Sequence, residues 1–171
     1  DLSQPEKVWE SKVLKNQFNS SVLIGEHLYG IDGDQNSRCS LKCVRLSDGK
    51  ELWAWNDWKA KVGLPPAGGN PLVQIFSHAS LPPTKQRLLA GSVVGNAIWA
   101  VDRSTGAAKI LIGGPEGQAD DIAIGPQGEM AWTNYLQGAV RIRDNDQQPS
   151  RVIASGLPGL NSLAFDPRNG K

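Results

Sequence analysis

Two oxygen-bearing side chains, Asp120 and Asn161, occupy the same place in a phrase that the sequence uses twice. The phrase reads ADDIAIGPQGEMAW from Ala119 and LNSLAFDPRNGK from Leu160, so the two residues stand 41 positions apart. Carboxylate and amide oxygens are ligands that hard divalent cations accept. The same side chains can instead hold the turn before a strand by hydrogen bonding to nearby backbone groups. The repeated phrase therefore leaves a metal site and a structural role open.

Nucleophilic chemistry has less support in the sequence. The two histidines, His27 and His78, show no local arrangement with a Ser or Cys, and catalysis by such groups needs them to converge in space. The two cysteines, Cys39 and Cys43, would lie about 13 Å apart on one strand, beyond the reach of about 7 Å that a disulfide needs. We expect half-buried thiols that do not pair with each other.

The tryptophans are candidates for a binding platform if exposed, or for the core if they lie on strands. Four of the six fall on predicted strands, which favours packing. Trp58 lies beside a Pro- and Gly-rich stretch instead, and we expect it to make an interface contact. The six are Trp9, Trp53, Trp55, Trp58, Trp99 and Trp132.

The elements that must position these side chains are short strands separated by turn signals. Gly, Pro, Asn and Asp mark the turns, and long helical periodicity is hard to find. Strands at this spacing are typical of an all-β fold. The predicted strands cover residues 21–25, 27–32, 40–46, 51–55, 87–94, 97–102, 107–112, 121–125, 129–134, 139–144, 150–154 and 162–165.

The strands also repeat with a period. AIWAVD and AVRIRD place Asp102 over Asp144, 42 positions apart, and KVWES and ELWAW place Trp9 over Trp53, 44 apart. A period of about 40–45 residues with four strands is typical of propeller blades. We predict an all-β fold of β-propeller-type blades of four antiparallel strands, as a partial or oligomer-completed propeller. The alternative is an ordinary sandwich or meander with coincidental similarity.

The repeat divides the chain into three predicted regions. Residues 1–56 are predicted to hold one blade, and residues 87–171 further blades that stop at a last, unfinished hairpin. Residues 57–86 are rich in Pro and Gly and do not repeat cleanly, so they are predicted to be an irregular linker or a divergent blade.

Residues 8–55 resemble the pyrroloquinoline-quinone-like propeller repeat. The resemblance rests on VLIGEHLYGIDGD and LKCVRLSDGKELWAW, in which Asp48 and Gly49 form a turn and Trp53 follows four residues after Gly49. In that family the Trp docks on the neighbouring blade. The resemblance implies a structural role for Trp53 and Gly49, and the repeat extends that role to Trp9.

Residues 87–171 resemble a second propeller group, the gluconolactonase and senescence-marker-protein family. Its enzymes are six-bladed and hold one divalent metal through a Glu, an Asn and an Asp. Asp120 and Asn161 match two of these places, which implies a Ca²⁺ or Zn²⁺ site for hydrolysis of sugar lactones. The Glu has no counterpart, and Asp121 and Ser162 replace the family's small Gly.

Two repeat types in one chain indicate a fusion or chimera of propeller fragments, with a homogeneous natural propeller as the alternative. We expect a non-catalytic scaffold or binding protein without a cofactor. The alternative function is a metal-dependent lactonase-type hydrolase.

The net charge of the chain indicates which binding partners to expect. Lys and Arg number 18 against 17 Asp and Glu, a net charge of +1, which does not predict binding to nucleic acid or an anionic membrane. Unpaired blade edges favour a second copy of the chain as the partner, so we expect a homo-oligomer that completes a ring. The start of the chain shows no signal-peptide pattern. The compartment stays open, although the resemblance implies an extracytoplasmic origin.

Overall fold

The structure, a computed structural model, describes residues 6–16, 21–33, 40–56, 79–80, 87–92, 96–166 and 168.

These residues form twelve strands and one 3₁₀ turn, η1 (Gly114–Gly117). Each strand pairs antiparallel with its neighbours in chain order. The first sheet holds β1 (Val22–Ile24), β2 (His27–Asp32), β3 (Ser40–Arg45) and β4 (Glu51–Trp55). The second holds β5 (Ala79–Ser80), β6 (Arg87–Ser92), β7 (Ala97–Asp102) and β8 (Ala108–Gly113). The third holds β9 (Ala119–Ile124), β10 (Met130–Asn134), β11 (Ala139–Arg143) and β12 (Arg151–Ala154).

This arrangement confirms the prediction of an all-β fold built from four-stranded antiparallel blades. Each sheet is a simple meander, the arrangement of strands within a propeller blade. Ala79 and Ser80 come from the stretch expected to be a linker or divergent blade, and they form the first strand of the second sheet.

Two apolar clusters join the sheets, and the second sheet contributes to both. Successive side chains on a strand point to opposite faces. On β7, Trp99 and Val101 therefore pack towards the first sheet, while Ile98 and Ala100 pack towards the third. The first sheet supplies Tyr29, Ile31, Leu41 and Cys43 to one cluster, and the third supplies Ala119, Ile122, Met130 and Trp132 to the other.

A glycine allows the second and third sheets to approach closely. A Cβ atom at Gly91 would lie 3.0 Å from the Cβ of Ala119 and 3.1 Å from its carbonyl oxygen. Contacts this short are tighter than is usual for a Cβ atom, so a side chain at position 91 would push β6 and β9 apart by a few tenths of an ångström.

Two expectations were wrong. Ser162–Phe165 was predicted to be a strand but forms none, because no described strand pairs with it and side-chain contacts to Asp121 hold it instead. The segment KVWES, which the repeat aligns with the strand segment ELWAW, also lacks strand structure. Trp58, His78 and Cys39 lie outside the described residues, so the interface prediction for Trp58 stays a prediction.

Candidate functional site

A repeated contact joins successive segments of the chain. Trp9 packs its ring on Gly49 and donates its indole N–H to the carbonyl of Leu46. Trp53 packs on Gly106 in the same way and donates to the carbonyl of Arg103 at 3.0 Å. We call this arrangement a tryptophan joint. A Trp ring packs on a turn glycine, and its indole N–H donates to the carbonyl of the residue three positions before that glycine.

The turn glycines make the joint possible for two reasons. Gly49 and Gly106 have φ of +69° and +73°, which L side chains rarely adopt. A Cβ at either position would also lie 2.8 Å from the Cε3 atom of the docked Trp. The turn therefore needs glycine both for its backbone and for the ring that covers it.

Polar contacts replace the joint between the second and third sheets. The position four residues after Gly106 holds Ile110, which is 37% exposed. Asp146, in the β11–β12 turn, pairs instead with Arg87 of β6 and with Arg143 of β11. The Trp132 indole donates to the carbonyl of Glu116 at 2.7 Å, which ties η1 to the third sheet.

A cavity of about 620 Å³ opens beside the second tryptophan joint, between the first and second sheets. We call it the joint cavity. Aromatic rings follow one another along its wall: the Tyr29 ring centroid lies 6.3 Å from that of His27 and 6.0 Å from that of Trp53. The guanidinium carbon of Arg103 lies 5.5 Å from the Tyr29 centroid, within range of a cation–π contact. The described residues that line it are His27, Tyr29, Cys43, Leu52, Trp53, Asp102, Arg103 and Ser104.

The ionisable groups of the joint cavity suit binding better than nucleophilic chemistry. Burial raises the pKa of the Cys43 thiol and of the Tyr29 hydroxyl, so both stay neutral, and a neutral thiol is a poor nucleophile. Hydrogen bonds from Ser104 and Thr105 lower the pKa of Asp102 to about 2. Asp102 is therefore ionised at neutral pH, and its Oδ1 atom accepts these bonds to hold the β7–β8 turn.

Asp120 lies in a β-bulge. Ala119 pairs with Asn134 and Ile122 with Trp132, so Asp120 and Asp121 together oppose Thr133. The Asp121 amide donates to the Thr133 hydroxyl at 2.9 Å. Strict alternation does not hold across a bulge, so the directions of the Asp120 and Asp121 side chains do not follow from their adjacent positions in the strand.

Asp121, in the same bulge, also contacts the segment that contains Asn161. Oδ2 of Asp121 accepts hydrogen bonds from the Ser162 hydroxyl at 3.1 Å and from the Leu163 amide at 3.0 Å. Asn161 is exposed and Asp120 is half-buried. Among the described residues, no group of three or more His, Cys, Asp or Glu side chains is placed to hold a metal ion. The metal assignment of Asp120 and Asn161 stays a prediction.

The sequence did not predict two contacts that the fold creates, one made by Arg103 and one by Arg143. Arg103 and Tyr29 meet across two sheets, and Arg143 is buried beside Asp146. The run DRSTG did carry a signal, because Asp followed by Ser and Thr is typical of a side-chain-bonded turn. Nothing local indicated the cross-sheet contacts of the arginines.

Comparison with known proteins adds little detail. No protein-family model matches the chain, and no curated protein does. Among solved structures, BamB from Moraxella catarrhalis is similar over 93% of this chain and 57% of its own, with 13% identity and a TM-score of 0.46. The chain thus spans little more than half the length of that protein. The described residues contain no helix long and apolar enough to cross a bilayer. The fold assignment rests on the three sheets and the contacts between them.

Proposed function

We propose that this chain is a non-catalytic β-propeller scaffold that binds another protein chain. One observation carries the proposal: the aromatic and charged side chains between the sheets are engaged in joining one sheet to the next. The Trp53 joint links the first and second sheets, and the Asp146–Arg87 ion pair links the second and third. A rigid stack of blades suits presentation of a surface to a partner.

The two kinds of sheet contact support a chain that combines two repeat types. The tryptophan joints involve the part that resembles the quinoprotein-like repeat, including Trp9, Trp53 and Gly49. The ion pairs of Asp146 lie in the part that resembles the gluconolactonase-like repeat. We propose that the chain joins blades of these two types, as a fusion or chimera would.

We propose a second copy of the chain as the partner, bound at β12. This strand pairs on one side with β11, and its other edge leaves backbone donors and acceptors unpaired by another described strand. Val152 and Ile153 at its centre are exposed, and Arg151 already has Asp144 as an ion-pair partner. Two such edges can pair antiparallel, with the apolar pair at the centre and the arginine charges balanced.

Light scattering coupled to size-exclusion chromatography tests the partner. We expect the wild-type chain to run as an oligomer and Ile153→Glu to run as a folded monomer. Leu23→Glu is the matched control, because Leu23 and Ile153 are both 55% exposed. A compact wild-type monomer would overturn self-association, and dissociation by both variants would assign the contact to surface apolarity in general rather than to β12.

A metal-dependent lactonase is the second candidate, favoured by one contact. Because Asp121 bonds to Ser162 and Leu163, the segment with Asn161 lies beside the strand with Asp120. Calorimetric titration with Ca²⁺ and Zn²⁺ separates the candidates. Binding that Asp120→Ala abolishes would support the lactonase, whereas the scaffold proposal expects no such binding.

A further inference from the structure

We propose that the joint cavity binds a neutral sugar with a flat pyranose ring, of the β-glucoside type. The ring of Trp53 lies against the C–H face of the sugar, and Asp102 accepts hydrogen bonds from its hydroxyl groups. The site adds a small-molecule ligand to the scaffold and does not depend on self-association.

The dimensions of the cavity fit a small ligand. Its volume of about 620 Å³ lies within the range of about 300–1,000 Å³ that is usual for ligand pockets. Leu52 and Trp53 provide apolar and aromatic wall. Polar groups come from His27, Asp102 and Ser104. A few polar groups in an apolar wall fix the orientation of a ligand.

The charges of the lining favour a neutral ligand. One cation, Arg103, and one ionised carboxylate, Asp102, line the same cavity. Each opposes a ligand of its own sign, so neither an anion nor a cation gains from both. A hydroxyl group donates and accepts hydrogen bonds without carrying a charge. A polyhydroxy compound can therefore bond to Asp102 without repulsion from Arg103.

Asp102 has an oxygen to offer such a ligand. Its Oδ1 atom accepts hydrogen bonds from the amide and hydroxyl groups of Ser104 and Thr105, which fix the carboxylate. Among the described residues the hydrogen bonds to Asp102 all end on Oδ1, which leaves Oδ2 as an acceptor for sugar hydroxyls. Bonds to an ionised acceptor are stronger than those between neutral groups.

The tryptophan joint holds the Trp53 ring ready for a sugar. Gly106 covers one part of the ring, and the indole N–H donates to the carbonyl of Arg103 at 3.0 Å. The ring is half-buried, and the remainder of it lines the cavity. The negative face of an aromatic ring attracts weakly positive C–H groups, and a β-glucoside, with its substituents equatorial, presents such groups on a flat face. A fixed ring lowers the entropy that binding must spend.

Nuclear magnetic resonance titration of the ¹⁵N-labelled full chain with methyl β-D-glucopyranoside tests the proposal. We expect saturable shifts of the Trp53 indole N–H and of the Ser104 amide, which donates to Asp102, at millimolar sugar. Glycerol offers hydroxyl groups without a ring face and should bind at least about tenfold more weakly. The absence of saturable shifts, or equal binding of glycerol, would overturn the proposal.

A carboxylate variant connects the shifts to the cavity. Asp102→Asn keeps one oxygen for the turn but replaces the other by an amide NH₂ group, which cannot accept a hydrogen bond. It should weaken sugar binding at least about tenfold. Asp144→Asn is the matched control, because Asp144 is a half-exposed aspartate of another turn, and it should leave binding unchanged. Equal affinity of wild type and Asp102→Asn would contradict the role of the carboxylate.

Saturation transfer tests the ring contact without any substitution. When the aromatic protons of the chain are saturated, the axial protons on one face of the bound sugar should respond more strongly than those on the other. This difference is expected because Trp53 meets a single face of the sugar. Uniform saturation of both faces would contradict stacking on Trp53.

Discussion

Gly106 shows how one residue can determine the contact between two sheets. It has a φ of +73°, and a Cβ there would lie 2.8 Å from the ring of Trp53. Gly156 has a nearly identical φ of +74° but open space around its Cβ position. Substitution of Gly156 would therefore cost backbone strain alone, whereas substitution of Gly106 would add a steric clash between the new Cβ and the Trp53 ring.

We predict that Gly106→Ala lowers the free energy of unfolding more than Gly156→Ala does. Strain at a left-handed position costs about 1 kcal/mol or more in both variants, and displacement of the Trp53 ring adds to it only at position 106. Urea unfolding measures the difference. In a Trp53→Ala background the two glycine variants should cost the same, and a persistent difference would show that the ring is not the cause.

Asp102 should give the β7–β8 turn a dependence on pH. An aspartate in an unfolded chain has a pKa of about 3.9, whereas that of Asp102 is about 2. Folding therefore favours the ionised carboxylate, and this stabilisation is complete above about pH 4 and is lost as the pH falls through 2.

We predict that Asp102→Asn is less stable than wild type at neutral pH and that the gap narrows as the pH falls from about 4 to 2. Ser104→Ala and Thr105→Val remove the donors of the turn and should raise the pKa of Asp102, which ¹³C resonance of the carboxyl carbon reports. An unchanged pKa in the combined variant would contradict this account of the turn.

At the scale of elements, the β11–β12 turn carries two aspartates with different surroundings. Asp146 bonds to Arg87 and to Arg143, whose side chain is only 7% exposed, and burial lowers the pKa of Arg143. Asp144 pairs with Arg151, and both of these side chains are about half exposed. Water can replace the Asp144–Arg151 pair more readily than the contact of Asp146 with the buried Arg143.

We predict that Asp146→Ala costs about 1–2 kcal/mol because it leaves the buried Arg143 without its carboxylate. Asp144→Ala should cost less than about 1 kcal/mol, as is usual for exposed pairs. Denaturant unfolding of the two variants provides the comparison. Equal losses would mean that the Asp146 contacts do not hold the second and third sheets together.

The sequence predicts elements better than it predicts their contacts. The alternation of apolar residues and the turn glycines indicated every described strand except β5, because both signals are local. The bulge at Asp120 and Asp121 was missed because it depends on pairing with Thr133 across β10. Ser162–Phe165 has the pattern of a strand, but a pattern supplies no partner, and the segment is bonded to Asp121 instead.

At the scale of the whole molecule, the second sheet is central to the packing. Trp99 and Trp132 are both fully buried, but Trp99 lies in the cluster shared with the first sheet and Trp132 in the cluster shared with the third. In repeat proteins each unit is stabilised chiefly by its neighbours. The five residues Ala97–Val101 of β7 are buried between the other two sheets.

We predict that amide hydrogen exchange is slowest in β7. Trp99→Ala should accelerate exchange in the first and second sheets, and Trp132→Ala in the second and third. Each truncation should cost about 3–5 kcal/mol, as is usual for a buried tryptophan. Equal acceleration throughout all three sheets by both variants would indicate a single cooperative unit instead.

The tryptophan joint has a polarity along the chain. In both examples the earlier segment supplies the ring, and the later hairpin supplies the glycine and the carbonyl. A tryptophan joint between two copies would therefore pair unlike surfaces, the ring of one copy with the turn glycine of the other. The β12 edge, in contrast, complements itself under a twofold axis. Changes at the joints and changes at β12 should therefore act on different properties, the first on the internal order of the blades and the second on the symmetry of the assembly.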